Sequence, residues 1–570
     1  MSVQKNGIFA PLPSTTRAHA TKLGSGKHGE IIYCSGKCVY LRNLHDPSQC
    51  FQYTQHNANT SVARIAPSGY YVASGDVLGN VKVWDPSNGI QKSEFRVLGG
   101  RINDLAWDGE SKRLVAVGDG KEAYGNCFTF DSGNSVGEVS GHSGIVNAVS
   151  IRSTRPYSVV TASDDNSVVY YQAFPMKFKK TLKDHTGFVQ DVQYAPDGSI
   201  FVSVGSDRKL FLYNAEGEKQ TSIESPHQGS IFAVSFDPSS KSFLTSSADQ
   251  TTKLWDVETQ KVVQTWSFGN MVEDQQVGNA FAGNTPVSLS LSGDLHSLDK
   301  STPDIGKVIT GHQKSITRLA YQHDTLYSGS YDGRICSWNL DGVPTLAAQR
   351  RSEITDLVVH DQKLYATDSE GVASVEQGGT IAPQARSIAF LKDVLITAGE
   401  QGVSLGGKKV TTTTKSTATT MTSEESTFAV GFEDGAVEIF YSDGTSKIKM
   451  QANRASVTAL AYSPNGDLLA AGDSAGKIIL YDAKTGEVRT TRWGFHSARI
   501  RHVAWNSTGT HLASVSLDTQ LIIYSVQNPI KNTKVPNVHK EGANSVVWVD
   551  GTTIITAGSD AAIKRWNVTI

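Results

Sequence analysis

One spacing, repeated along the whole chain, limits the fold more than any other feature. In SADQTTKLWDV (247–257), SYDGRICSWNL (330–340), SLDTQLIIYSV (516–526) and SDAAIKRWNV (559–568), an aspartate stands six residues before an aromatic side chain. The pairs are Asp249–Trp255, Asp332–Trp338, Asp518–Tyr524 and Asp560–Trp566. The same step joins Asp165 to Tyr171, Asp207 to Tyr213 and Asp434 to Phe440. A histidine lies 20 to 23 residues upstream of most of these aspartates: His142, His185, His227, His312, His496 and His539. Between the markers, short segments such as IFAVSF and FLTSSA alternate apolar and polar residues, the period of a strand with two different faces. Turn sequences such as PDG (196–198), PNG (464–466) and STG (507–509) separate them, and no stretch reads as a convincing amphipathic helix.

A unit of four short strands that starts at a histidine and carries an aspartate in a turn is the WD40 pattern. An apolar residue fills the aromatic slot fourteen times: Leu41, Trp84, Phe130, Tyr171, Tyr213, Trp255 and Leu298, then Trp338, Val375, Leu405, Phe440, Tyr481, Tyr524 and Trp566. The mean unit is about 41 residues long. Rings of this kind hold four to eight blades, so fourteen units divide most naturally into two rings of seven. The expected fold is all-β, two seven-bladed WD40 β-propellers in tandem over residues 1–305 and 306–570. The boundary is expected in STPDIGK. Residues 7–11 (GIFAP) precede the first complete unit and fit a missing outer strand of either ring, because an unclosed ring leaves strand edges unpaired. The units at Val375 and Leu405 are the weakest. The Thr-rich stretch after them (408–426) reads as a loop or as a polar edge strand.

The net charge of −2 and pI near 6.7 supply no global basic field for nucleic acid or anionic membrane. Five cysteines, an odd number with no CxxC pair, suit a reducing compartment and argue against a zinc cluster. The start, MSVQKNGIFAPLPS, lacks a signal-peptide core, and no apolar run reaches membrane-spanning length, so the glycosylation sequons at Asn59, Asn506 and Asn567 read as chance. The chain reads as soluble and cytosolic. The pairs His142–Asp165, His185–Asp207, His227–Asp249, His312–Asp332, His496–Asp518 and His539–Asp560 are read as structural, a carboxylate fixing an imidazole and a turn, rather than as a metal or acid–base array. Blades with Leu78, Tyr124, Ser292 or Ala475 at the Asp slot must hold their turns otherwise. GDSAG (472–476) mimics a nucleophile elbow but occupies a blade turn. GSGKH (24–28) fails the phosphate-loop pattern at both ends. No enzyme activity, catalytic residue, metal or cofactor is expected.

Two places break the repeat beyond what a scaffold needs. GDGKEAYGN (118–126) lengthens a turn and presents Lys121 and Glu122, and SDDNS sets Asp164 directly before the structural Asp165, at a position expected to face solvent. The stretch AFPMKFKKTLKDHTGF (173–188) then falls on the outermost strand of the fourth blade. Its lysines are interspersed with Asp184, and Glu122 and Asp164 lie near, so no sustained phosphate-binding surface arises. For Phe178 the choice is between packing on the neighbouring blade and a docking edge.

Several stretches resemble the actin-interacting protein 1 family, WD-repeat cofactors of ADF/cofilin, in the style of a fungal member. They include PLPSTTRAHATKLG, SGYYVASGDVLGNVKVWD, AWDGESKRLVAVGDGKEAYGNCFTFDSGNSVGEVSGHS, PMKFKKTLKDHTGFVQDVQYAPDGS, VEDQQVGNAF, TTRWGFHSARI and DGTTIITAGSDAAIKRWNV. The resemblance implies a non-enzymatic protein that binds actin filaments decorated by ADF/cofilin, promotes their severing and disassembly, and restrains barbed-end regrowth. It implies a cytoplasmic location at cortical actin. Carried over by motif, it assigns actin/cofilin binding to Glu122, Asp164, Lys177, Phe178 and Phe188 on the first ring. Where the family commonly reads GPPFKFK, this chain has AFPMKFK, with Phe174 and Met176 as the departures. A monomer is expected, with no nucleic acid partner and no membrane insertion. The alternative is a generic WD-repeat scaffold for another complex, marked by a binding determinant on a ring's central face.

Overall fold

The computed structural model describes residues 1–569 apart from 27–28, 47–48, 122, 377–381, 383–384, 415–416 and 425. Among the described residues the strands form thirteen four-stranded antiparallel sheets and one three-stranded sheet, and the only helical element is the 3-10 turn Val272–Asp274. Each sheet is one blade, with its strands numbered here from first to fourth, inside to outside. In the fourth blade they are Val146–Ile151, Ser158–Ser163, Val168–Gln172 and Lys177–Leu182. Inner strands are covered on both faces by the adjacent blades, so Ser158–Ser163 is buried at every position, while Lys177–Leu182 is exposed or half-buried.

The chain forms two compact units: Leu12–Thr310, and Gly311–Ile570 together with Met1–Pro11. Each holds seven sheets. The first ring closes where Gln276–Ala282 packs on Gly24–Ser25 and Glu30–Ser35, and Ile305–Ile309 is the outer strand of its last blade. The second closes where Ile316–Gln322 packs on Ala543–Trp548. The outer strand of that closing blade comes from the N-terminus: Ser2–Phe9 pairs antiparallel with Ile563–Thr569, from Ser2↔Thr569 to Phe9↔Ile563. The spare N-terminal segment therefore completes the second ring and begins at Ser2 rather than Gly7. Ile8 and Phe9 are buried there, and Phe9 stacks on Trp338 with ring centroids 5.8 Å apart.

A second device ties neighbouring blades together. In eleven blades the first strand carries a bulge near its start, and the extra residue turns its side chain out of the ladder. In seven of them that residue donates a hydrogen bond to a carbonyl on the next blade's first strand or at its start. Ser61 reaches Ile102 O (2.5 Å), Asn103 reaches Val146 O (3.1 Å) and Asn147 reaches Val189 O (3.0 Å). Thr317 reaches Ile354 O (2.6 Å), Thr419 reaches Val457 O, and Thr458 reaches Ile500 O (2.6 Å). Asn544 reaches Ile316 O (2.8 Å), across the closure of the second ring.

The repeated polar residues form buried networks. In the sixth blade His227 Nδ1 lies 3.0 Å from Asp249 Oδ2, His227 Nε2 lies 2.8 Å from Thr245 Oγ1, and Trp255 Nε1–H donates to that same oxygen (2.9 Å). His142–Asp165 (3.0 Å), His185–Asp207 (3.0 Å), His496–Asp518 (2.9 Å) and His539–Asp560 (2.7 Å) repeat the contact, and His312–Asp332 is longer at 3.5 Å. Burial alone would push these carboxyls up. Hydrogen bonds from the imidazole, from hydroxyls and from turn N–H groups outweigh it and hold Asp165, Asp207, Asp249 and Asp518 below their usual range.

The structure also answers how the blades without an Asp in the expected slot hold their turns. Asp76, two residues before Leu78, accepts from the N–H groups of Leu78 and Asn80 and lies 3.2 Å from His56 Nδ1. Asp473, two residues before Ala475, accepts from the N–H groups of Ala475 and Lys477 and from Asn453, which replaces the histidine. Ser292 joins Ser290 and Asp294 through its hydroxyl, and Tyr124 accepts at its carbonyl from Gly118 N–H. In the third blade the fully buried aromatic is Phe128, which pairs opposite Leu114; Phe130 lies one residue past the strand and is only partly buried. The Thr-rich stretch is divided: Lys408–Val410 is an outer strand, and Ala418–Ser423 is the first strand of the next blade. Ser474 sits in a turn, its N–H bonded to Ser456 O.

Candidate protein-docking surface on the first ring

Because strands within a blade alternate in direction, the turn between the second and third strands and the link from a fourth strand to the next blade lie on the same face of a ring. Asp164 occupies such a turn in the fourth blade, and Phe188 ends the link into the fifth. Asp164 is half-buried rather than free in solvent. Its Oδ1 accepts from Asn147 Nδ2 at 2.7 Å, and its own N–H donates to Ile145 O at 2.9 Å. Asn147 is the bulge residue that also reaches Val189 O, so one side chain sets Asp164 against the strand that Phe188 introduces.

Phe188 is 52% exposed, and its carbonyl is fixed by Ser206 N–H (2.8 Å). Phe178 is 47% exposed. It meets Tyr171 edge-on at 6.4 Å and lies over Gly141, where a Cβ would approach its ring to 2.7 Å. Gly141 has φ of 94°, a backbone that glycine adopts freely, so the Gly of GHSG both makes the turn and leaves room for the ring. Phe178 is thus partly packed and partly presented.

Lys177 pairs opposite Gln172 and is exposed, as is Lys179 at the bulge in the same ladder. Asp184 does not offset these lysines: it accepts from Tyr213 OH (3.0 Å) and pairs with Lys219 (2.7 Å). The residues that depart from the common pattern anchor this strand. Met176 is buried in the core between the third and fourth blades, its N–H bonded to Val136 O (2.9 Å). The Arg113 guanidinium lies 4.8 Å over the Phe174 ring. Glu122 lies outside the described residues. Asp164, Lys177, Phe178 and Phe188 come from one blade and the link that leaves it. Asn147, which holds Asp164, carries no signal in the repeat markers; the stitching role of the bulge residue is the pattern that would have singled it out.

The family described as WD domain, G-beta repeat matches residues 47–85, 133–172, 176–214, 218–256, 304–339 and 487–525. The anaphase-promoting complex subunit 4 WD40 domain matches residues 419–493. A WD repeat-containing protein of Schizosaccharomyces pombe is 40% identical over the full length of both chains. Actin-interacting protein 1 of Caenorhabditis elegans is 35% identical, covering 99% of each chain, and that of Drosophila melanogaster is 34% identical, covering 99% of this chain and 98% of its own. The chain belongs to the actin-interacting protein 1 family. Members of this family match across both rings, so the likeness is one of the whole two-ring arrangement and not of single repeats.

Proposed function

We propose that the chain binds actin filaments decorated by ADF/cofilin, promotes their severing and disassembly, and restrains barbed-end regrowth. On this reading it acts as a monomer in the cytoplasm, at cortical actin, without catalysis, cofactor or nucleic acid. The observation that carries it is the pair of half-exposed phenylalanines, Phe178 and Phe188, and a carboxylate fixed by Asn147, Asp164, all from one blade and its outgoing link on the first ring of a chain from this family. Glu122 and Lys177 are assigned to the same binding role on the family motif alone.

The chemistry needs no covalent step. Half-exposed aromatic rings on a rigid sheet are suitable anchors, since burying the remainder of each contributes about 1 kcal/mol with little ordering cost. Asp164 and Lys177 supply charges of both signs, which orient a partner more than they tighten it. A ligand that prefers one filament geometry shifts the filament toward it, and if that geometry is strained, breakage follows. Co-sedimentation tests the reading. The chain should pellet weakly with actin filaments alone and strongly once ADF/cofilin is added. Equal pelleting in both conditions would reject the cooperative mechanism.

A further inference from the structure

The bulge position that stitches one blade to the next carries Ser, Thr or Asn in seven blades, but Arg501 in the thirteenth. Arg501 does not serve the neighbouring first strand, Ala543–Trp548. Its side chain lies beside Tyr331, which belongs to the blade beyond. Arg499 and Arg318 stand beside it, and burial together with these cations draws its pKa below the ordinary value. Arg318 is neutralised by Asp356 at 2.8 Å. Among the described residues, no carboxylate pairs with Arg499 or Arg501.

All these groups lie on one face of the second ring. Arg499 and Arg501 stand at the start of the first strand Ile500–Trp505, and Arg318 near the start of Ile316–Gln322. Tyr331 follows the second strand Thr325–Ser330, its N–H bonded to Ser315 O (3.0 Å). Leu517 follows His511–Ser516, its N–H bonded to Arg499 O (3.1 Å). Tyr331 is 44% and Leu517 41% exposed. Among the described residues no acid neutralises the guanidinium that stands at this bulge position, and Tyr331 and Leu517 are exposed on the same face.

We propose that this mouth of the second ring docks an acidic segment of a partner protein. Carboxylates of the segment are received by Arg501 and Arg499, and its apolar side chains rest on Tyr331 and Leu517. Guanidinium pairs with carboxylate through two parallel hydrogen bonds, and arginine beside an aromatic is a frequent centre of protein interfaces. A free phosphate would use the cations but leave Tyr331 and Leu517 without purpose. The site is separate from the first-ring surface and does not depend on it.

The test uses the full chain and a short fluorescent peptide of glutamates interrupted by leucines. The peptide should bind, more weakly as salt rises, and Arg501→Gln should weaken it about tenfold or more. Glutamine already occupies the same bulge position as Gln190 in the fifth blade, so the substitution suits the fold. Tyr331→Ala gives a second variant, expected to weaken binding with the guanidinium retained. Phe178→Ala should leave the peptide affinity unchanged. Equal binding of a matched glutamine peptide would overturn the proposal, as would peptide binding indifferent to Arg501→Gln. So would inorganic phosphate or phosphatidylserine vesicles binding in an Arg501-dependent way while the peptide does not.

Discussion

Deleting one ring from the N-terminal strand should damage the unit farthest away in sequence. Phe9 is 6% exposed, stacks on Trp338, and packs with Ile316, Leu319, Ile555 and Ile563 in the core between the closing blade and the first blade of the second ring. Truncating a phenylalanine in such a site costs about 3–5 kcal/mol, from lost transfer energy and the cavity left behind. Domains of this kind are stable by about 5–15 kcal/mol, so Phe9→Ala removes a large part of the margin of the second ring. At about 2–4 °C per kcal/mol for units of this size, its melting should fall by about 6–20 °C. Calorimetry gives the shift, and peptide-level hydrogen exchange assigns it. Exchange should accelerate in Ile563–Thr569 and stay slow in Val168–Gln172 of the first ring. Faster exchange in Val168–Gln172 alone, or none in either, would refute the closure by Ser2–Phe9.

Three further outcomes follow from the same geometry. Lys22→Met should cost about 3–5 kcal/mol in urea denaturation, because buried Lys22 Nζ lies 2.5 Å from Asp191 and its loss strands that carboxylate, while Asp104, 3.7 Å away, keeps Arg64 at 2.8 Å. Melting monitored by circular dichroism should fall steeply as pH drops from about 4 to about 2. Burial would raise the Asp76 and Asp332 carboxyls, but hydrogen bonds, led by His56 and His312, bring both down to about 2. A depressed folded value means that this stability is present above the ordinary carboxyl range and is lost as pH falls through the folded value, so Asp76→Asn should flatten the profile. Asn147→Ala should weaken cofilin-dependent pelleting several-fold, since Asn147 holds Asp164 in place; unchanged pelleting would remove Asp164 from the surface.

The repeat made most of the fold legible, because each His, Asp and aromatic performs the same task in blade after blade. It misled where the task moved by two positions. Asp76 and Asp473 end the second strand instead of sitting inside the turn, yet His56 lies 20 residues before Asp76, the same step as His312 to Asp332. The closing strand was hard to place since an outer strand is patterned on one face at most, and only Ile8 and Phe9 of Ser2–Phe9 are fully buried. In the Thr-rich stretch, threonine suits an edge strand, a loop or an inner strand, and only Met421 and Ala418 betray the buried face of Ala418–Ser423. At the candidate surface, Phe178 and Phe188 were legible as residues but their exposure was not. It depends on Gly141, which leaves the ring its place, and on contacts that no local pattern encodes.

The central claim is a first-ring surface that acts on cofilin-decorated filaments, and a filament-severing assay with the purified chain tests it most directly. Severing should be slow with ADF/cofilin alone, accelerate when the chain is added, and lose that acceleration with the Phe178→Ala, Phe188→Ala double variant at an unchanged melting temperature. Acceleration without ADF/cofilin, or full acceleration by the double variant, would contradict the account.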